Sequence, residues 1–227
     1  MGYTLITTNR NYSSWSLRAW LLLKVLGVPF EDRVEPAVLR DNWAPFRAFS
    51  PTGRVPVLLH EGRTVWDLLA ILLYLAERHD GLWPAQADAR AFAMSAVAEM
   101  HGGFSALRNQ CGMSVGVRVA MRQQSPALQA DVARLSEIFA EGLSRFGGPY
   151  LAGDRFTAID AFFAPVAFRV RTYSLDLGKG QAWVEHILHH PHLREWEAMA
   201  LAETGREIGH EEEVAAAGEI VADYRAH

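Results

Sequence analysis

The sequence predicts a small α/β unit followed by a larger all-helical one, and a few local patterns carry that expectation. Residues 3–34 read as strand, helix and strand within about thirty residues, which makes a βαβ unit with a right-handed parallel crossover. A short apolar, partly β-branched run through Val57, Leu58 and Leu59, the connector Glu61-Gly62 and a return run through Trp66 read as a hairpin. After His79-Asp80-Gly81-Leu82-Trp83-Pro84 the strand patterns stop and apolar residues recur at helical spacing. The expected boundaries are residues 1–80 for the first unit and 87–227 for the second.

Each element has its own signal. Residues 3–8 (YTLITT) are β-branched and apolar, a strand. Residues 9–14 form a polar loop, and Ser13 or Ser14 can cap a helix over 15–26, in which Leu17, Trp20, Leu21 and Lys24 recur at helical spacing. Gly27 and Pro29 end it. A second strand follows at 30–34, then a weaker helical segment at 38–49, irregular around Pro45. Pro56 removes one ladder donor at the start of the hairpin, and its X-Pro bond is open to either isomer. Asp67 can cap a helix over 68–78.

Beyond the linker no strand is expected. Residues 87–110 read as one long helix, loosened at Gly102-Gly103. A second, over 127–146, carries Val132, Leu135, Ile138, Phe139 and Leu143 on one face and stops at Gly147-Gly148-Pro149. A third, over 157–171, is very apolar and kinked at Pro165. A fourth covers 193–201, and the acidic-to-alanine tail from residue 211 also reads as helical.

Composition excludes several function classes. The chain has 227 residues, half of them hydrophobic, with net charge −4 and pI about 6.1. No polyanion-binding surface follows, so nucleic acid is not an expected partner. Cys111 is the single cysteine, which rules out an intrachain disulfide, a CxxC redox pair and a thiolate zinc cluster. It reads as a small buried hydrophobe. No apolar stretch reaches the ~18 residues of a membrane span. Met1 leads into a strand pattern without a basic and apolar leader, so the expected location is cytoplasmic. His189-His190-Pro191-His192 invites a metal reading, but Pro191 breaks the local geometry and no i, i+4 pair exists among them, so no metal is expected.

Four motifs, in order and spacing across essentially the whole chain, resemble those of the cytosolic glutathione transferase superfamily. Asn11-Tyr12-Ser13-Ser14-Trp15-Ser16-Leu17-Arg18 is similar to the serine motif of zeta-like members, which include maleylacetoacetate isomerases. Ser50-Pro51-Thr52-Gly53-Arg54-Val55-Pro56-Val57-Leu58 resembles the cis-proline segment whose preceding residue bonds the glutathione backbone. Trp66-Asp67-Leu68-Leu69-Ala70-Ile71-Leu72-Leu73-Tyr74-Leu75 resembles the segment that grips the γ-glutamyl end. Thr157-Ala158-Ile159-Asp160 is similar to the superfamily's capping box, assigned here wholly to structure. Two positions depart from the pattern: Leu68 stands where Ser follows the acidic residue, and Trp15 where zeta members carry cysteine.

The resemblance implies a thioredoxin-like first domain, a helical-bundle second domain, a homodimer, and glutathione as co-substrate without a metal. It implies attack of the glutathione thiolate on a small electrophile, or addition that isomerises a double bond. A binding or assembly protein on the same fold, with little turnover, is the alternative. A free thiol has pKa about 8.5, and lowering it by about two units needs about 2.7 kcal/mol of preferential thiolate stabilisation. A hydroxyl donor and a helix N-terminus both favour the anion. Ser13 is the expected donor, with Ser14 the other candidate; both also read as plain caps. Arg54, Val55, Pro56, Asp67 and Leu68 form the implied glutathione site, with Asp67 carrying more of the recognition because Leu68 cannot donate. His101, Phe104, Arg108, Arg169 and Arg171 are the implied acceptor pocket, where arginines suit an acidic substrate; ordinary interhelix salt bridges are the competing reading of those arginines.

Overall fold

A computed structural model describes residues 2–37 and 41–226. Strand β1 (Tyr3–Thr7) runs parallel to β2 (Phe30–Val34) and antiparallel to β3 (Val57–His60), which pairs with β4 (Arg63–Val65). The sheet order is β2-β1-β3-β4. Helix α1 (Ser14–Leu26) makes the parallel crossover and ends at Gly27, whose φ of 65° is a left-handed stop. The hairpin turns through Glu61 and Gly62, both at positive φ. Helix α3 (Leu68–Ala76) leaves β4 from Asp67, whose carboxylate accepts from the Leu69 amide at 3.2 Å.

Of the helical segment expected over 38–49, residues 38–40 lie outside the described residues. The rest is one turn, α2 (Trp43–Phe46), with Asp41 capping the Trp43 amide at 2.9 Å. The chain then turns at Gly53 (φ 66°), where a Cβ would stand 2.6 Å from the Trp43 ring.

The second unit holds α4 (Ala87–Gly102), α5 (Ser105–Gln110), α6 (Pro126–Phe146), α7 (Ala158–Tyr173), α8 (Gln181–Leu188), α9 (Pro191–Ala202) and α10 (Ile208–Ala217). The single helix expected over 87–110 is thus two. A Cβ at Gly103 would lie 2.7 Å from the Glu99 carbonyl, and Phe104 turns left-handed with φ 59° before α5 begins. Helix α7 is buried along nearly its whole length and packs on α1, α4 and α8, so it is the axle joining the two units. It runs through Pro165 without ending.

One expectation is overturned. Strands β5 (Val117–Met121) and β6 (Gly218–Asp223) form a two-stranded antiparallel sheet beyond the linker. The Val117, Val119 alternation was a real strand signal, but its partner lies about a hundred residues on, past an alanine run, where no local pattern announces it. Gly218 permits the pairing, since a Cβ there would collide with the Ala120 carbonyl. Among the described residues, no helix is long and apolar enough to cross a membrane.

Candidate active site

The loop before α1 is held from both units. Arg10 pairs with Asp32 at 2.8 Å on the sheet side and with Glu203 at 3.3 Å beyond α9. Asn11 donates to the Ala200 carbonyl and accepts from the Gly116 amide. Tyr12 donates to Glu211 at 2.7 Å and accepts from Arg225 at 3.1 Å. Burial, with the Glu211 bond adding to it, pushes the Tyr12 hydroxyl far above the ordinary phenol range. A polar loop that sequence reads as a mere connector is therefore a clamp that fixes the start of α1.

Two serines stand at that start. Ser13 is the N-cap: its hydroxyl accepts from the Ser16 amide at 3.2 Å and donates to the Ser16 hydroxyl at 2.8 Å. Ser14 opens the helix, and its amide donates to the Tyr12 carbonyl at 2.9 Å. Its hydroxyl has no protein partner among the described residues and lines a cavity of about 230 Å³. The same cavity is lined by Ser13, Trp15, Arg108 and Arg169. The two serines thus have different duties: one shapes the turn, the other presents a free hydroxyl at the positive end of α1. The sequence favours Ser13 as the thiol donor over Ser14; the hydrogen bonds instead engage Ser13 with Ser16 and leave the Ser14 hydroxyl open.

The cationic wall is built around Trp15. Its ring lies 5.1 Å from the Arg18 guanidinium and 5.0 Å from that of Arg108. Arg18 is buried, donates to the Phe162 carbonyl at 2.7 Å and leaves one terminal nitrogen without a partner. Arg108 donates to the Gly103 carbonyl at 3.0 Å and also to that of Met100. Arg169 donates to the Cys111 carbonyl at 2.7 Å. Burial, with Arg108 nearby adding to it, pushes Arg169 down to about 10. None of these three arginines forms an ion pair among the described residues, and of the three Arg108 and Arg169 line the cavity. Cys111 is fully buried, and burial pushes its thiol up to about 12, as a structural hydrophobe should behave.

The remaining expected residues fall elsewhere. Arg171 pairs with Glu197 at 2.6 Å and does not line the cavity, so for this arginine the interhelix reading is the one that holds. Phe104 is buried against Phe163. His101 packs edge-on against Trp15 and sits 3.5 Å from the Asp67 carboxylate, tying α4 to the start of α3. The Val55-Pro56 bond is cis, and Ser50 staples that loop by donating to the Arg54 carbonyl at 2.6 Å and accepting from its amide at 3.1 Å. Arg54 and Asp67 are exposed, whereas the Leu68 side chain is fully buried in the core. None of residues 54–56, 67 and 68 lines the serine cavity. His190 caps α9, accepting from the His192 amide at 3.3 Å, and burial lowers its pKa to about 4.

Sequence reasoning missed the third wall. Glu207, His210 and Glu213, all on or beside α10, line the cavity opposite the serines. The helical reading of the tail holds only as far as Ala217, where β6 takes over, and nothing local shows that the tail folds back onto the first helix. A larger open groove of about 1500 Å³ lies along the linker, lined by residues such as Trp83, Arg90, Arg155 and His190; no expected site residue lines it.

Comparison with known proteins places this geometry. Residues 12–78 match the glutathione S-transferase N-terminal domain and residues 84–198 the C-terminal domain. Maleylacetoacetate isomerase of Rattus norvegicus is 28% identical over 174 residues, covering 74% of this chain and 78% of that protein. The Rhizobium meliloti enzyme of that name is 28% identical over 183 residues, covering 73% and 81%. Among solved structures, a glutathione transferase homolog from Burkholderia with bound glutathione superposes with TM-score 0.66 at 22% identity, over 88% of this chain and 98% of that one. With both of its domains matched in order over most of its length, the chain belongs to the glutathione S-transferase family.

Proposed function

We propose that this chain is a glutathione transferase that holds the glutathione thiol as thiolate for attack on a small electrophile, including reversible addition that isomerises a double bond. The observation that carries the reading is the cavity at the α1 N-terminus, where serines of the first domain face Arg108 and Arg169 of the second. The Ser14 hydroxyl and the first-turn amides are donors to the sulfur, and Ser13 holds the turn that aims them. In this reading the backbone of Val55, before the cis proline, takes the peptide end and the exposed Asp67 the γ-glutamyl end; the cis bond and the exposure of Asp67 support it. Relatives named as isomerases and transferases support an enzyme over a binding protein with little turnover. A cytoplasmic homodimer is the form proposed, with exposed Leu73 on α3 and Met94 on α4 as apolar surface for a partner.

Calorimetric titration with glutathione, combined with turnover of chlorodinitrobenzene, tests this. Saturable binding with turnover is expected. A chain that binds glutathione without turnover is the binding protein instead, and one that binds none is neither. Sedimentation at micromolar concentration is expected to show a dimer, and a pure monomer rejects that part.

A further inference from the structure

The family domain ends at residue 198, yet the serine cavity is completed by Glu207, His210 and Glu213. That segment is firmly placed. Arg225 is buried and bonds Glu211 and Asp223, and Tyr12, in the loop before Ser13, joins the same network. The β5–β6 pair anchors the chain end behind it. Within this frame the His210 ring stacks on Tyr12, centroids 5.4 Å apart and planes 25° apart. Its Nδ1 lies 2.9 Å from the Glu213 carboxylate, and its backbone amide donates to Glu207 at 2.7 Å. Gly112 leaves room for that carboxylate, since a Cβ there would come within 3.1 Å of Oε2. His210 Nε2 has no protein partner among the described residues.

A histidine oriented through Nδ1 by a carboxylate, with the other nitrogen free in a reaction cavity, is the arrangement of a proton donor. We infer that His210, oriented by Glu213, delivers the proton when the thiolate adds to an activated double bond. This rests on the transferase reading. The glutathione sulfur forms a bond to the β-carbon of an α,β-unsaturated carbonyl, and the double-bond pair moves to the carbonyl oxygen as an enolate. The imidazolium gives its Nε2 proton to the α-carbon, leaving neutral imidazole and a thioether; solvent returns the proton to the ring. Glu213, Glu207 and Tyr12 face the ring from α10 and the α1 loop, while Arg108 and Arg169 line the cavity from α5 and α7. Substitution on a chloroaromatic expels chloride and needs no such donor, so the two reactions separate the role.

The test is His210→Gln, which can still bond Glu213, compared with wild type on two acceptors. Addition to benzylideneacetone is expected to fall about a hundredfold, the ordinary size of general-acid loss, while the chlorodinitrobenzene rate and the glutathione Kd stay within about twofold of wild type, below the threshold of a lost binding contact. Glu213→Gln is expected to lower addition less than His210→Gln does, and likewise to leave the chlorodinitrobenzene rate near wild type, because it loosens the ring's orientation without removing the donor. Equal loss on both acceptors marks a packing role and overturns the inference, as does no loss on either, which is the behaviour of a surface ion pair. Wild-type protein that binds no glutathione overturns the transferase reading itself, and this assignment with it.

Discussion

Helices α1 and α7 pack against each other and both begin on a hydroxyl-bearing cap, yet their N-termini are built to opposite ends. At α7 every acceptor is spoken for. Asp160 is fully buried and takes the Leu151 amide at 3.0 Å, the Thr157 amide at 3.0 Å and the Trp183 indole at 2.9 Å. Burial raises its pKa to about 6, with those hydrogen bonds holding it from rising further. At α1 the Ser13 cap is closed on Ser16 but the Ser14 hydroxyl is left open to a cavity. A helix start saturated by its own chain stabilises the fold; one left open at its positive end can stabilise another molecule's charge.

The largest effect expected from breaking this contrast is at the closed end. Asp160→Ala strands buried donors from Leu151, Thr157 and Trp183, and is expected to cost about 3 kcal/mol or more in urea unfolding. Glutathione affinity of the folded fraction should be unchanged. A loss under 1 kcal/mol, against the usual ~1–3 per stranded donor, says the capping box is ornamental. Its titration carries a sign. Because the folded pKa of about 6 lies above the ordinary 3.8, the folded state holds a proton that the unfolded chain releases. The contribution to stability is full below pH 3.8 and is lost as pH rises through about 6. The stability of wild type relative to Asp160→Asn should therefore fall across that window; a flat difference rejects it.

A third helix start sharpens the contrast. Leu68, just inside α3, is core rather than pocket, so Leu68→Ser is expected to destabilise by about 2–4 kcal/mol, as core truncations do. The departure from the family pattern reads from sequence as a lost donor to glutathione, and the same serine reads as a gain in affinity. The buried side chain points the other way: affinity of folded Leu68→Ser protein is expected to stay near wild type, with Asp67→Ala the larger binding loss. Tighter binding by Leu68→Ser in calorimetry would restore the sequence reading.

The smallest stability change belongs to Ser13→Ala, a cap loss of about 1 kcal/mol. Ser14→Ala should leave melting nearly untouched and instead lower turnover roughly ten- to a hundredfold, the size of a hydrogen bond to a charged group. Full activity in Ser14→Ala with loss in Ser13→Ala would return the donor role to Ser13.

These residues also show how far the sequence reaches. The sheet, α1, the hairpin and the α7 capping box were legible because each has a local signal: β-branched runs, Ser13 ahead of an apolar stripe, Glu61-Gly62, and Thr157 three residues before Asp160. The arginine wall was half legible. Arg108 and Arg169 line the cavity, while Arg171, two residues further along α7, goes to Glu197. The β5–β6 pair and the His210 wall were not legible, since both depend on contacts between residues about a hundred or more positions apart. Which serine hydroxyl is free is a matter of hydrogen-bond geometry that residue types do not encode.

The central claim is that the open N-terminus of α1 stabilises a thiolate, and it is read directly by titrating the thiolate absorbance of glutathione bound to the wild-type, Ser14→Ala and Ser13→Ala chains. The account predicts a wild-type midpoint about two units below the ordinary thiol value of about 8.5, with Ser14→Ala returning most of that shift. A bound thiol that titrates at its free value, or a lowered midpoint that survives loss of both serines, contradicts it.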